Sequence, residues 1–402
     1  MVTDLRNFEY AQGYNDVCSV RFKFPKKSRI PFASSPMTEP VLAIATPATA
    51  LAEYLAAVPL IPYLGSLTPQ HLDAPELETK ALLTGAAAHD LGWLRRIAVR
   101  GEDRFRWLSG MITNVVEGLP DRSGAYNLVL NAQGRIQGDA YVWRSGDALE
   151  LELTAEQAET LLTHLDRFII MDDVELVPLT GDSALGLTGP NAGKVLEKLG
   201  LSALPELQSC TTCAVAGIPV LVYRTYGTLL PHYILWTGTT NIPMLWDQLL
   251  AAGASAVGAA AVETMRIVEG IPAYGVDIQS RDLAQETAQT RALNFTKGCY
   301  LGQEIVERIR SRGQVHRHLR AVEFTAGGND GSPGIGTELR IAGSPDDSKS
   351  AGTLTSVTDL RLGDIRRIFG IAMVRAESEV GDRALVYPGG AASILHSPPK
   401  FN

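Results

Sequence analysis

The chain has 402 residues, 45% of them hydrophobic and 20% charged, which excludes a disordered, collagenous or coiled-coil protein and predicts ordinary globular cores. At roughly 150 residues per domain, two or three domains are expected. Asp plus Glu number 44 against 36 Lys plus Arg, so the net charge of −8 excludes wholesale coating of nucleic acid and leaves room only for a local basic patch. Four cysteines (Cys18, Cys210, Cys213, Cys299) are too few for a disulfide scaffold and predict a reducing, cytoplasmic location.

Residues 1–40 predict a solvated, flexible extension, with Arg21, Lys23, Lys26, Lys27 and Arg29 ahead of a polar, Pro-punctuated stretch. The apolar run 41–65 is interrupted by Pro47, Glu53, Pro59 and Pro62, which predicts a packed helix near 48–57 rather than a membrane span. Residues 95–100 read as a strand closed by Gly101, and residues 102–109 as a helix with Phe105, Trp107 and Leu108 inward. Strands follow at 126–130 and 135–143, joined by the turn Asn131-Ala132-Gln133-Gly134. Leu149, Leu151 and Leu153 alternate with Glu150 and Glu152, the mark of a half-buried strand. Thr154 and Gln157 have capping-box spacing and open a helix with Leu161, Leu162 and Leu165 on one side, before a strand at 174–177.

The order then partly recurs: strand 184–187, a helix stopped by Gly200, strands 218–223 and 233–236, and helix 243–252. Strand, helix, strands, helix, strand is the order of a split βαβ, ferredoxin-like unit. The fold class expected is therefore α+β, with two such lobes, spanning 41–180 and 181–315, that pack together. Short strand-like runs at 321–324, 337–341, 352–357, 371–375, 384–387 and 392–395 predict a small C-terminal β-barrel over 316–402.

The most unusual stretch is residues 295–320. In an extended segment the K-x-C spacing puts Lys297 and Cys299 on one face, where the ammonium would stabilise a thiolate, and a helix opening at Gln303 would add the field of its N-terminus. The competing reading is an inert thiol beside a solvated lysine. Arg308, Arg310, Arg312, Arg317 and Arg320, with His316 and His318, suit a polyanion such as a polyglutamate tail, a phosphate or tRNA, against a plain solvated helix face. Cys210-Thr211-Thr212-Cys213 is a single C-x-x-C without a second ligand pair, so no metal site is expected. Arg266, Glu269 and Asp277 stand in an apolar region, either to clamp a ligand or as a structural ion pair.

At these two stretches the sequence resembles a known family. The octad Lys297-Gly298-Cys299-Tyr300-Leu301-Gly302-Gln303-Glu304 is similar to the K-G-C-Y-x-G-Q-E signature of the YgfZ family of folate-binding, iron–sulfur-assembly proteins. Weaker matches precede it: Val99-Arg100-Gly101-Glu102-Asp103, then Asn131-Ala132-Gln133-Gly134-Arg135, then Leu187-Thr188-Gly189-Pro190, then Arg266 with Glu269-Gly270-Ile271-Pro272. Their order resembles both YgfZ and its relative, the aminomethyltransferase (T-protein) of the glycine cleavage system.

The resemblance implies a three-lobed ring of two α/β lobes and a barrel, with tetrahydrofolate or a derivative held non-covalently in the central opening. It implies a role in assembly or repair of iron–sulfur client enzymes, including tRNA-modifying ones. Cys299 and Lys297 would then be the reactive pair, and Arg266, Glu269, Tyr300, Gln303 and Glu304 the folate contacts. The alternative is a C1 transferase of the T-protein type. That enzyme's Asn-Asp pair stands here as Asn114-Val115, and the acid of its Y-T-G-E segment falls in Tyr226-Gly227-Thr228-Leu229. A transferase would need another base, for which Asp103 and Asp139 are the candidates.

Overall fold

The computed structural model describes residues 46–313, 315–326, 332–343, 350–379 and 384–401. The expected extension at 1–40, and Cys18 with it, lies outside the described residues.

The Thr49 hydroxyl accepts from the Ala52 amide and caps α1 (Ala50–Leu55), where the sequence predicts a packed helix. A hairpin follows, β1 (Leu60–Tyr63) and β2 (Ser66–Pro69), then α2 (Pro75–Thr84), which Pro75 opens at the position where its missing N–H costs nothing. The next elements are β3 (Ala87–Asp90), β4 (Leu94–Arg100), α3 (Arg104–Met111), β5 (Ser123–Leu130), β6 (Ile136–Ser145), β7 (Ala148–Thr154), α4 (Ala155–Asp166) and β8 (Glu175–Leu179). A second series comprises β9 (Asp182–Thr188), α5 (Ala192–Lys198), β10 (Ser209–Val215), β11 (Ile218–Thr225), β12 (His232–Gly238), α6 (Ile242–Ala251), β13 (Ser255–Ala256) and α7 (Ala259–Val268). After a long irregular stretch come α8 (Gln303–Arg312) and the strands β14 (Arg317–Ala326), β15 (Glu338–Ile341), β16 (Gly352–Leu362), β17 (Ile365–Arg375), β18 (Leu385–Tyr387) and β19 (Gly390–Ile394).

Among the described residues eleven strands form one sheet in the order β13-β3-β9-β12-β11-β10-β5-β6-β7-β4-β8. The two halves meet where Ser209 of β10 pairs with Ser123 of β5. The rings of Trp143 and Tyr223 stack across that junction at 4.1 Å. Residues 87–90, within the first lobe by the sequence boundaries, pair with β9 and β13 in the second half. The last six strands close into the expected barrel, in the order β14-β17-β16-β15-β18-β19.

Each half has its own core. Ile97, Leu108, Val142 and Leu151 fill the first, while Leu185, Val222, Leu235 and Leu245 fill the second. On β7 Leu149, Leu151 and Leu153 are buried beneath α4 as the alternation predicts, but Glu152 on the opposite face is buried as well, so the strand is not half-buried there. A further core runs from Leu128 and Ile136 through Met265 of α7 to Phe369 and Ile371, and joins sheet and barrel. The turn after β5 fits against the start of α8. Gly302 holds φ +83°, and a Cβ there would lie 2.6 Å from the Asn131 carbonyl oxygen, so both conformation and space require glycine.

Candidate functional site

A cavity of about 280 Å³ opens where β5, β6, β7, β9 and β12 meet the segment that follows α7. Its wall is aromatic, with Tyr126, Tyr141, Tyr226, Tyr233 and Tyr274, and it carries a small set of polar groups: His89, Asp139, Glu152, Gln157, Thr188, His232 and Arg291. Apolar walls with few, fixed polar groups are the usual form of a small-molecule site.

Asp139 is held on both oxygens. Oδ2 accepts from the Tyr126 hydroxyl at 2.7 Å and Oδ1 from Gln157 Nε2 at 2.7 Å. Gln157 also accepts from the Asp139 amide at 3.0 Å. The capping box expected between Thr154 and Gln157 does not form, because Gln157 turns inward to this carboxyl. Burial pushes the Asp139 pKa up, against the opposing pull of Gln157, Tyr126 and Arg291. Asp103, the other candidate base, lies away from the cavity. It accepts from the Asp173 amide and pairs with Arg106, which lower its pKa.

Arg291 stands between two rings, 4.1 Å from the Tyr126 centroid and 4.2 Å from that of Tyr226, and donates to the Tyr141 hydroxyl at 2.6 Å. Glu152 accepts from Trp236 Nε1 at 2.9 Å and is otherwise enclosed, so burial pushes its carboxyl up to about 7.

The residues singled out in the sequence are distributed differently. Arg266 donates to Glu263, Asp277, the Ile271 carbonyl and Ser356, so it is the centre of a buried ion-pair network between α7 and the barrel. Glu269 is buried. Its Oε1 accepts from the amides of Leu229 and Leu230, and its Oε2 meets His232 Nε2 at 2.6 Å. It therefore touches the cavity through His232. The Lys297 ammonium donates to the carbonyls of Ser109, Ile112 and Asn114, each at 2.7 Å, at the C-terminal end of α3. An ammonium has three hydrogens, and all three have these partners. Burial pushes its pKa down to about 8. Cys299 is exposed on the next turn of the loop and is not among the residues that line the cavity. Tyr300 is buried with its ring 5.1 Å from the Lys297 nitrogen, Gln303 accepts from the Tyr300 amide, and Glu304 is exposed in the first turn of α8.

The basic cluster divides. Arg317 pairs with Asp282 and Glu286, and Arg320 and His318 with Glu379. Arg308, Arg310 and Arg312 remain on the exposed side of α8, with Arg310 over the Phe295 ring at 4.5 Å. Cys210 and Cys213 lie on β10, where a separation of three sends side chains to opposite faces. Cys210 packs beside Trp143 and Tyr223, and Cys213 against the core of the second half. Among the described residues no group of His, Cys, Asp and Glu could hold a metal, and no helix is long and apolar enough to cross a membrane.

Residue reading missed His89, Glu152, Thr188, His232 and Arg291. None of them belongs to a local motif, Glu152 reads as the open face of its strand, and only the sheet order brings them together.

Residues 56–297 match the family model described as GCVT N-terminal domain. An aminomethyltransferase of Rubrobacter xylanophilus is 28% identical over 332 residues, covering 81% of this chain and 86% of that protein. A chloroplastic transferase of Arabidopsis thaliana is 25% identical over 300 residues, 73% of this chain and 66% of that relative, just under two thirds of its length. The crystal structure of the glycine cleavage system aminomethyltransferase T from Bartonella henselae superposes with a TM-score of 0.76 at 19% identity, covering 88% of this chain and 98% of that one, and shares the fold. With more than half of its residues inside the family match, the chain belongs to the GCVT N-terminal domain family and is aminomethyltransferase-like.

Proposed function

We propose that the cavity takes a tetrahydrofolate-type ligand and that the chain handles a one-carbon unit there, as a folate-dependent aminomethyl or methyl transferase. The observation that carries this reading is the Asp139 carboxyl, raised by burial and set in a cage of tyrosines. A pterin is a flat heteroaromatic ring with N–H groups along one edge. Tyr126, Tyr141 and Tyr226 suit its faces, and a carboxyl suits its edge. When bound, the folate supplies the nitrogen that carries the one-carbon unit. Asp139 then holds or moves the proton at its Oδ atoms, a task for which a carboxyl pKa shifted upward is matched. Tyr126 and Gln157 orient it, and Arg291 supplies a fixed positive charge beside it. Val115, where the resemblance would put the transferase acid, carries no proton, so the role falls to Asp139. The two α/β lobes, which line this cavity, and the barrel are proposed as the units 41–180, 181–315 and 316–402.

The test is turnover of tetrahydrofolate with aminomethyl or methyl donors by the pure protein. Asp139→Asn is expected to keep folate binding within a few-fold and to lower kcat by about a hundredfold or more, the usual worth of a general acid or base. Unchanged kcat would remove Asp139 from the chemistry.

A second reading rests on the exposed Cys299 thiol. Here the chain is a YgfZ-like folate-binding accessory protein for iron–sulfur assembly or repair, including clients that modify tRNA, and the thiol acts outside the cavity. Folate binding without turnover, together with loss of iron–sulfur enzyme activity in cells carrying only Cys299→Ala, would favour it.

A further inference from the structure

Four side chains form one hydrogen-bonded array along the cavity wall. His89 Nδ1 lies 3.2 Å from the Asp90 carbonyl oxygen and His89 Nε2 lies 3.1 Å from Thr188 Oγ1. Thr188 Oγ1 lies 3.1 Å from His232 Nδ1, and His232 Nε2 lies 2.6 Å from Glu269 Oε2. His89, Thr188 and His232 line the cavity, and Glu269 backs His232 from beyond the C-terminal end of α7.

The partners fix the protons. A carbonyl only accepts, so His89 carries its hydrogen on Nδ1. Burial pushes the His89 pKa down to about 4, so the ring is neutral and Nε2 offers a lone pair. The Thr188 hydroxyl must donate to that lone pair. Its oxygen can then only accept from His232, which places a hydrogen on His232 Nδ1. At the other end burial works against a charge on Glu269, but the His232 contact and the two backbone amides on Oε1 outweigh it and lower the carboxyl's pKa. Oε2 therefore accepts as well, which places a second hydrogen on His232 Nε2. His89, on β3, and Glu269 are the titratable groups in direct line with His232.

Glycine leaves room for both rings, Gly186 on β9 and Gly227 in the segment between β11 and β12. A Cβ on Gly186 would run into the His89 ring, and one on Gly227 into the His232 ring.

We infer that His232 is held as an imidazolium on the cavity wall and is the proton donor to the bound ligand, acting through the Thr188 hydroxyl. Glu269 is its counter-ion and positioning residue. In the step, the Thr188 hydroxyl turns from His89 Nε2 to a ligand oxygen or nitrogen and gives up its proton to that atom, and the His232 Nδ1 proton replaces it on Thr188 Oγ1. His232 is left neutral, keeping its Nε2 hydrogen in the hydrogen bond to Glu269, and uptake of one proton from solvent restores the array. The ligand thus presents an acceptor atom to this wall. The donor role rests on the transferase reading; the protonation state does not.

The experiment is nitrogen-15 NMR of histidine side chains in the full-length, ligand-free protein at neutral pH. Both His232 nitrogens are expected to carry protons, and His89 to carry one, on Nδ1. Thr188→Val should remove the His232 Nδ1 proton, and Thr188→Ser should retain it. A bare His232 nitrogen in the natural protein overturns the inference, whatever the folate assays show. Where transfer is measurable, Thr188→Val should lower kcat at least tenfold with KM little changed, and Thr188→Ser should restore it. Loss of neither overturns the donor role while leaving folate binding standing.

Discussion

The Lys297 ammonium lies 2.7 Å from the Asn114 carbonyl oxygen, and so fastens the loop that carries Cys299 to the segment that carries Val115. The same nitrogen serves the carbonyls of Ser109 and Ile112, so one side chain satisfies acceptors that α3 leaves unpaired at its C-terminal end. The loop and the end of α3 are also joined by the Leu301 amide on the Gly110 carbonyl.

This geometry gives Lys297 a structural task that can be separated from any effect on the thiol. Lys297→Met keeps the length of the stem and leaves three acceptors without their donor. Stability to urea is expected to fall by about 1–3 kcal/mol, the cost of unmet buried polar groups. The rate at which the folded protein's Cys299 reacts with a disulfide reagent is expected to change less than about threefold, since no hydrogen of the ammonium is left for the sulfur. A tenfold drop in that rate, without loss of stability, would show that Lys297 acts on the sulfur instead.

Much of the fold is legible in the sequence because its signals are local. The alternation of Leu149, Leu151 and Leu153, the Asn131–Gly134 turn and the six short C-terminal strands each rest on a few adjacent residues, and all form. Strand β10 is missed because its sequence, Ser209-Cys210-Thr211-Thr212-Cys213-Ala214-Val215, has little apolar alternation. The site is less legible for a different reason. His89 and Thr188 meet only because β3 lies antiparallel to β9, and Thr188 and His232 only because β9 lies antiparallel to β12. A single sequence holds no statement of those pairings. The charged residues at Arg266 and Glu269 stand out by contrast with their neighbours. Such contrast marks buried ion pairs as readily as ligand contacts, and Arg266 proves to be the former.

Gly186 offers a test of the array that needs no ligand. Its backbone conformation is ordinary for a strand, so the requirement for glycine is one of space, set by the imidazole of His89. Gly186→Ala forces that ring off Thr188 and is expected to cost about 1–3 kcal/mol, the range for overpacking a filled core. The double variant with His89→Ala makes room for the new methyl and should lose less than the sum of the two single changes. Thermal denaturation of the four proteins measures this coupling. Additive losses would show that the alanine strains the backbone elsewhere and that the ring is free to move.

Glu152 predicts a pH dependence with a definite sign. Burial holds its carboxyl at about 7 in the folded chain, against 4.5 for an unburied glutamate. Between those values the folded state keeps a proton that the unfolded state has released. Protons therefore bind more to the native form, and stability falls as pH rises through this window. The difference between the two pKa values corresponds to a loss on the order of 3 kcal/mol across the window. Glu152→Gln keeps an oxygen to accept from Trp236 Nε1 and has no charge to bury. Its stability should match that of the natural protein near pH 4.5 and exceed it increasingly up to pH 8, as read from urea midpoints at each pH. Parallel curves would mean that Arg96, whose field lowers the Glu152 pKa, keeps the carboxylate charged in the folded chain. The cavity floor would then carry a negative charge facing the ligand rather than a neutral acid.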